Sequence, residues 1–467
     1  MSAPKDYHGT LTNLLASRGN QIFDIHFLPE GFGDLLHEGT EIGISKKALV
    51  QCFVKARQIF FSLTPQQLQP EKSESRRYQR RSVPEAPHED TPQSPPTANA
   101  NPNSSPEYYS SQTLLLQTEI LLLLDSEHLT ACNWRKQRLC SLKEKQSQCR
   151  PRSASQYHSA LHTEISFTTT ILRSPLHRHT KSPVLWYHRK WTIMQLLDLY
   201  RENPVAAFAG SHHLPHYDAE ADAAIVVVAA AAAAATTAVN QIINYEVSIV
   251  LQAGTHHPKN YYAFSYLREF MRLFADALAP CQVSTTMGQQ QPVTIQLGNL
   301  AGMVLETLHT WCLAYSHRRD ISAWSFLLWL LEVVGDVDGD VSSLRKMIID
   351  KTARYGVEVS WYGEGLWIFV DLAVRRFGVD VDWLTRESWG DLDDDDDGQA
   401  QSPARWLSSV GDVTVCDVDG PSTAPAPVTT ASGTSPSTSN KRWKIWIRRM
   451  KASQERNDAP VIINHID

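Results

Sequence analysis

Four short segments of this chain share one pattern, and this repetition limits the possible folds more than any other feature of the sequence. Each segment follows an apolar, helix-like stretch and begins another. The segments are EHLTACNWRK (127–136), KSPVLWYHRK (181–190), KNYYAFSYLR (259–268) and RDISAWSFLL (319–328). The sixth position is aromatic in the last three segments, whereas the first has Cys132 there. Such a pattern is typical of an array of helical hairpins, in which each unit packs against its neighbours.

The pattern also has the features of a helix start. Ser182, Asn260 and Asp320 stand where an N-cap is needed, because their side-chain oxygens accept hydrogen bonds from free main-chain N–H groups. One turn further on, Arg189 lies three residues after Trp186 and therefore on the same face of the helix. We expect the aromatic residue to pack on the neighbouring hairpin and Arg189 to reach a carboxylate on a preceding helix. The residues expected to build the repeat are Trp186, His188, Arg189, Asn260, Phe264, Arg268 and Trp324.

The rest of the chain predicts an all-α fold interrupted by disordered insertions. Apolar residues recur at helical spacing, and strand-like alternation is scarce. Tracts poor in apolar residues cannot offset the entropy lost on ordering. The expected organisation is a helical N-terminal region (1–65), a disordered insertion (66–110), the repeats (111–335) with low-complexity insertions (141–157, 211–238, 281–293), a helical cap (336–390), a disordered acidic and Pro/Ser/Thr-rich tail (391–440) and a basic end (441–467).

Composition excludes several classes of protein. With 44 Lys+Arg against 50 Asp+Glu, the net charge of -6 argues against a basic nucleic-acid binder. The longest apolar run, 223–235, is mostly alanine and shorter than the roughly 20 residues of a membrane-spanning helix. Seven scattered cysteines without a Cys-x-x-Cys pair predict a reduced compartment and no metal site on this chain. Because the N-terminus also lacks a signal-peptide pattern, we expect a cytoplasmic protein without a transmembrane segment.

A resemblance to a known family is carried mainly by the second and third segments, KSPVLWYHRKW and PKNYYAFSYLR. They resemble the repeat of protein prenyltransferase α subunits, and residues 27–61 are similar to the N-terminal region of the fungal members of that group. The chain departs from the family pattern at Cys132 and Phe264, where the family has Trp, and at Tyr266 and Leu267, where it often has His-Arg.

The resemblance implies a fold and an activity. The family forms a right-handed α-α superhelix, a crescent of helical hairpins wrapped around a β subunit that carries a zinc ion and the isoprenoid pocket. The pair transfers a farnesyl or geranylgeranyl group from its diphosphate to a cysteine thiolate of a protein substrate. The resemblance therefore implies an α subunit that has no cofactor of its own and is inactive without its β subunit.

The resemblance also implies site residues. The family's lysine before the second segment corresponds to Lys181, and its tyrosine in the third segment corresponds to Tyr261, both near the isoprenoid diphosphate. A further family tyrosine, in the second segment, is replaced by Pro183. Lys259 also directly precedes a helix start, where free N–H groups favour anions, and is a third candidate for binding the diphosphate. A nearby ammonium would stabilise the diphosphate more as its bond to carbon breaks.

Two interpretations stay open from the sequence. In the first, Lys181 and Tyr261 converge on the partner-facing side and support prenyl transfer. In the second, they are a solvated lysine and a packing tyrosine, and the chain is a non-catalytic helical-repeat scaffold for protein–protein interaction.

Overall fold

The computed structural model describes residues 5–64, 106–148, 152–176, 178–209, 227–279, 292–335, 341–379, 381 and 446–448. The chain divides into two compact units, Met1–Val341 and Ser342–Asp467. Helices account for 76% of the described residues, which confirms the predicted all-α repeat fold. No helix in the described part of the chain is both long and apolar enough to cross a membrane.

The described residues of the first unit form four helical hairpins, each made of a first helix (A helix) and a second helix (B helix). The hairpins are α3 (Pro106–Leu124) with α4 (Leu129–Gln148), α5 (Arg152–Arg173) with α6 (Pro183–Leu199), α7 (Val227–His256) with α8 (Tyr261–Leu278), and α9 (Pro292–Leu313) with α10 (Ile321–Val333). As predicted, the repeated segments begin the B helices. Short turns join the two helices of a hairpin, whereas two long connections, 200–226 and 279–291, join one hairpin to the next.

A small three-stranded sheet precedes the hairpins. Helices α1 (Tyr7–Ser17) and α2 (Lys46–Leu63) flank the strands β1 (Asp24–Phe27), β2 (Leu35–Glu38) and β3 (Glu41–Ile44). Strand β3 is central, parallel to β1 and antiparallel to β2. The sequence predicts that region 1–65 is helical, but the structure contains these three strands between its two helices. Each strand has four residues, too few for alternation to be recognised against the helical background.

The first strand is anchored to α5 through side-chain hydroxyls. The main-chain N–H of Phe23 donates to Thr170 Oγ1 at 3.2 Å, and that of Ile25 donates to Ser174 Oγ at 3.0 Å. These hydroxyls satisfy donors that an edge strand otherwise leaves unpaired. The N-terminal sheet is thereby fixed to the A helix of the second hairpin.

Parts of the predicted insertions are helical. The composition of residues 141–157 predicts disorder, but α4 continues to Gln148, α5 begins at Arg152, and Tyr157 is buried. The Lys, Gln and Glu residues of this tract favour helix once a neighbouring apolar stretch has started one. Likewise, α3 begins within 66–110, α7 begins within 211–238 and α9 begins within 281–293. The predicted tail 391–440 lies outside the described residues.

The second unit contains a helical hairpin with the same internal bond as the repeats. Helices α11 (Val341–Glu358) and α12 (Glu364–Phe377) belong to the predicted cap 336–390. Trp367 Nε1 donates to the carbonyl of Trp361 at 2.6 Å, six residues earlier. Trp186 and Trp324 make the same six-residue bond, at 2.8 and 2.9 Å. This hairpin therefore follows the same pattern as the four repeats, and we call it the fifth hairpin. It could not be recognised from the sequence, because Gly363 stands where the other segments have a polar cap.

Candidate functional site

The B helices begin at capped N-termini, as the sequence predicts. Ser182 Oγ accepts a hydrogen bond from the N–H of Leu185 at 3.1 Å, and Asn260 Oδ1 accepts one from Ala263 at 3.2 Å. Asp320 accepts two N–H groups of its helix, at 3.0 and 3.2 Å. All three caps are buried. The starts of α6, α8 and α10 are thus fixed by local chemistry.

Two of these caps also bond to the turn of the preceding hairpin. Ser182 Oγ donates to the carbonyl of Ser126 at 3.1 Å. Asn260 Nδ2 donates to the carbonyl of Thr180 at 2.5 Å. The caps therefore join successive turns along one edge of the array, and we call this edge the cap edge.

Asp320 performs the same role with reversed polarity. Its Oδ2 accepts the main-chain N–H of Lys259 at 2.8 Å. Lys259 has a φ of 60°, in the left-handed region that residues with a side chain seldom adopt, and its side chain is exposed. Burial raises the pKa of Asp320, although its N–H donors act in the opposite direction. Asp320, the cap in the fourth hairpin, thus holds the backbone of the turn in the third hairpin in a defined conformation.

Lys181 lies at the cap edge, at the end of a short 3-10 helix (His179–Lys181) and half-buried. Desolvation lowers the pKa of its ammonium, Asp320 acts to raise it, and Lys259 acts to lower it further. Lys181 directly follows Thr180 and Lys259 directly precedes Asn260, so the hydrogen bond between Asn260 and Thr180 brings the segments of the two lysines together. Two of the predicted diphosphate-binding lysines therefore share one region.

Tyr261 is the first residue of α8 and is 62% exposed, with its ring against that of Tyr262. Lys181 follows Thr180 and Tyr261 follows Asn260, so both candidates lie one residue from the same hydrogen bond. Together with Lys259, they place two ammonium groups, a phenol and the N-terminus of α8 along one edge. Such a group of donors and positive charges suits an anion.

A buried ion pair lies between the second and third hairpins. Arg189 Nη2 is 2.6 Å from Glu246 Oε1, and Tyr266 donates its hydroxyl to Glu246 Oε2 at 2.6 Å. The prediction of a carboxylate on a preceding helix is wrong, because Glu246 lies on α7, the following A helix. The preceding helix α5 instead offers the hydroxyls of Thr168 and Thr169 to Arg189 Nη1.

The junction between the first and second hairpins repeats this arrangement. Arg135 Nε is 2.6 Å from Glu164 Oε1, and His188 Nε2 lies 2.6 Å from the same oxygen. Burial acts to raise the pKa of Glu164, but Arg135 and His188 hold it well below its usual range. Each junction therefore contains an arginine from one B helix, a glutamate from the next A helix, and the residue two positions after the sixth in the next B helix.

The predicted aromatic residues are buried between hairpins. Trp186 packs against Tyr266 of the next B helix, with ring centroids 4.9 Å apart. Phe264 contacts Phe326 in the same way, at 5.7 Å, and Trp324 is buried as well. This part of the repeat is therefore placed as the sequence predicts.

A protein-family model matches residues 243–274, and its description is protein prenyltransferase alpha subunit repeat. This chain carries a protein prenyltransferase alpha subunit repeat. The matched residues run from the second half of α7 through the turn and most of α8, so the prenyltransferase repeat contains Glu246, Asn260, Tyr261 and Phe264. No curated protein matches the chain.

Arg268 differs from the other residues predicted to build the helical repeat. It lies one position after Leu267, which occupies the place of Arg189 in the third hairpin. Its guanidinium lies over the ring of Trp329 in α10, 5.3 Å from the centroid, and is partly exposed. Arg268 therefore contacts the next B helix and does not join the buried ion pairs.

Two glutamates and one histidine of these junctions were not predicted from the sequence. Glu164 is the only Asp, Glu, Lys or Arg residue in 153–172, and Glu246 is the only one in 223–258. A lone carboxylate in a long uncharged helical stretch is a signal of a buried, paired group. His179 is buried, and its Nε2 donates to the carbonyls of Leu122 and Leu123 at the end of α3. Within the described ranges, no group of three or more His, Cys, Asp or Glu residues could hold a metal ion.

Proposed function

We propose that the chain is the α subunit of a heterodimeric protein prenyltransferase. In this proposal, it supports the transfer of a farnesyl or geranylgeranyl group from its diphosphate to a protein cysteine thiolate held by a zinc-bearing β subunit in the cytoplasm. The prenyltransferase repeat and the array of hairpins support the family. The observation that carries the proposed role is the bond from Asn260 to Thr180, because it holds the segments of Tyr261 and Lys181 together.

The cap edge has chemistry suited to a diphosphate leaving group. Negative charge gathers on the diphosphate as its bond to carbon breaks. A positive charge fixed nearby therefore stabilises the transition state more than the ground state. Lys181 supplies that charge, Tyr261 can donate a hydrogen bond from its exposed hydroxyl, and Lys259 adds a second ammonium. The thiolate and the isoprenoid chain would be bound by the β subunit.

A second candidate function is a helical-repeat scaffold that binds a partner without prenyl transfer. Pro183 favours this alternative, because it is the first residue of α6 and has no hydroxyl to replace the family's second tyrosine. The two functions make different demands on Lys181, since a scaffold does not need its charge.

The experiment is an isoprenoid-transfer assay on the chain co-purified with a β subunit from the same source. We expect Lys181→Ala to lower transfer by about 100-fold or more while the complex stays intact. Tyr261→Phe should have a smaller effect, and Lys47→Ala, an exposed lysine on α2, should have none. An intact complex that transfers nothing would establish the scaffold, and transfer that does not depend on Lys181 would overturn the role of Lys181.

A further inference from the structure

A basic residue recurs at one position of the first three B helices. Lys136 in α4, Lys190 in α6 and Arg268 in α8 each lie four residues after the sixth position of their segment. Equivalent positions of a repeat array align across neighbouring units. The B helices therefore present a row of cations that is separate from the cap edge.

The first two cations of this row share an exposed aromatic ring. Tyr187 is 59% exposed, and the ammonium nitrogens of Lys136 and Lys190 lie 4.7 and 5.2 Å from its ring centroid. Lys136 also lies 5.8 Å from the ring of Trp191. Neither lysine has an ion-pair partner among the residues that the structure describes. Two positive charges are thus held on one surface without a compensating carboxylate.

Unlike the first two cations, the third has carboxylates near it. Arg268 and Arg272 both lie over Trp329, at 5.3 and 5.8 Å. Arg272 pairs with Glu269 at 3.1 Å. Burial and the neighbouring Arg272 lower the pKa of Arg268, whereas Glu332 and Glu269 act to raise it. Lys136 and Lys190 are therefore the two cations of the row without a described carboxylate beside them, and an anionic partner would gain most between α4 and α6.

Two exposed side chains of α6, Tyr187 and Met194, form a stripe with the partly exposed Trp191 beside these lysines. Tyr187, Trp191 and Met194 are spaced at i, i+4 and i+7, and Met194 is 38% exposed. Residues so spaced form a ridge along a helix, the shape that packs into the grooves of a second helix. Lys143 of α4 is tied to Gln195 of α6 at 2.8 Å, which fixes the two helices next to the stripe.

We propose that the surface formed by Lys136, Tyr187, Lys190, Trp191 and Met194 binds an acidic, amphipathic helix of a partner protein. The partner's carboxylates pair with the two lysines, and its apolar side chains lie on Tyr187, Trp191 and Met194. The charge and the helical spacing of the stripe together select this occupant. The inference goes beyond the proposed function, because it requires neither the isoprenoid nor the cap edge.

The test measures binding of two fluorescent helical peptides to the full chain by anisotropy. The peptides share one leucine stripe, flanked by glutamates in the first and by lysines in the second. We expect the glutamate peptide to bind at least tenfold more tightly than the lysine peptide, with an affinity that falls as salt is added. The double variant Lys136→Glu with Lys190→Glu should weaken the glutamate peptide at least tenfold and improve binding of the lysine peptide.

The gain for the lysine peptide shows that the double variant is folded, and Lys47→Glu serves as the matched control on α2. Equal affinity of wild type for the two peptides would overturn the proposal, as would a double variant that behaves like wild type. Co-sedimentation with phosphatidylserine vesicles that depends on both lysines, without a preference between the peptides, would replace the acidic helix with a lipid surface. Prenyl transfer takes no part in these measurements, so their failure leaves the proposed function untouched.

Discussion

The side-chain amide of Asn260 donates a hydrogen bond to the main-chain carbonyl of Thr180, 80 residues earlier in the chain. The same carbonyl accepts the indole N–H of Trp186 at 2.8 Å. Asn260 also caps α8 through its oxygen. One buried residue therefore starts a helix and fixes that helix to the preceding hairpin, next to both candidate catalytic residues.

Replacing Asn260 with alanine should lower the free energy of unfolding by about 2 kcal/mol, because both the cap and the bond to Thr180 are lost. Urea unfolding measures this change. The second segment has a serine, Ser182, at the position equivalent to Asn260. Asn260→Ser should therefore keep the cap and recover about half of the lost unfolding free energy. A serine variant as unstable as the alanine variant would contradict the role of the cap.

Breaking the buried pair of Arg189 and Glu246 should be far more costly than breaking an exposed one. Arg189→Met leaves a glutamate buried without its charge partner, and we expect a loss of about 3–5 kcal/mol in unfolding free energy. Arg272→Met removes a partly exposed pair with Glu269 and should cost less than about 1 kcal/mol.

Removing both charges of the buried pair tests the same idea from the other side. Arg189→Met combined with Glu246→Leu should be more stable than Arg189→Met alone, because no unpaired charge is left. Urea unfolding of the wild type, both single variants and the double variant gives the coupling. Additive losses would show that the two residues do not interact as the structure describes.

His179 should make stability depend on pH. Burial lowers the pKa of His179 to about 4, against the effect of its bonds to two carbonyls. An unfolded histidine takes up its proton near pH 6.5, so the unfolded state binds more protons between pH 6.5 and 4, and stability falls as the pH is lowered through this range. Lowering the pH from above 6.5 to about 4 should therefore reduce the free energy of unfolding by about 3 kcal/mol. His179→Gln should flatten this part of the pH profile of urea unfolding, and an unchanged profile would argue against a neutral, buried His179.

The fifth hairpin should tolerate phenylalanine but not alanine at its central tryptophan. Trp367 is fully buried and donates to Trp361. Because Phe264 fills the equivalent position in the third hairpin, Trp367→Phe should cost only the hydrogen bond, about 1 kcal/mol. Trp367→Ala should cost about 3–5 kcal/mol through the cavity it leaves. Thermal unfolding followed by tryptophan fluorescence distinguishes these two values.

Local chemistry explains what could be predicted from the sequence. The caps Ser182, Asn260 and Asp320 are recognisable because a cap and its partners lie within three residues. The glutamate partner of Arg189 lies 57 residues away, on a helix whose position only the packed array determines. Gly363 lacks a capping side chain, so the fifth hairpin has no such signal.

The same distinction applies to the site. Lys181 and Tyr261 could be named from the resemblance, but not the contacts that hold their segments together. The bond of Asn260 to Thr180 and that of Asp320 to Lys259 cross from one hairpin to another. Tertiary packing of this kind is absent from periodicity and composition. The prediction of disorder for 141–157 was wrong for a related reason. The polar ends of two helices lie there, and they are ordered because the apolar parts of the same helices pack in the array.

Two long connections, 200–226 and 279–291, run from one hairpin to the next, and the short turns that carry Asn260 and Asp320 lie inside hairpins. Because the helices of a hairpin run in opposite directions, these long connections leave from the end of the hairpin remote from the cap edge. Residues can therefore be inserted into these connections without changing the spacing of the turns along the cap edge. A fluorescent protein or an affinity label inserted into 210–226 or 280–291 should be tolerated, with the hydrogen bonds of the caps unchanged.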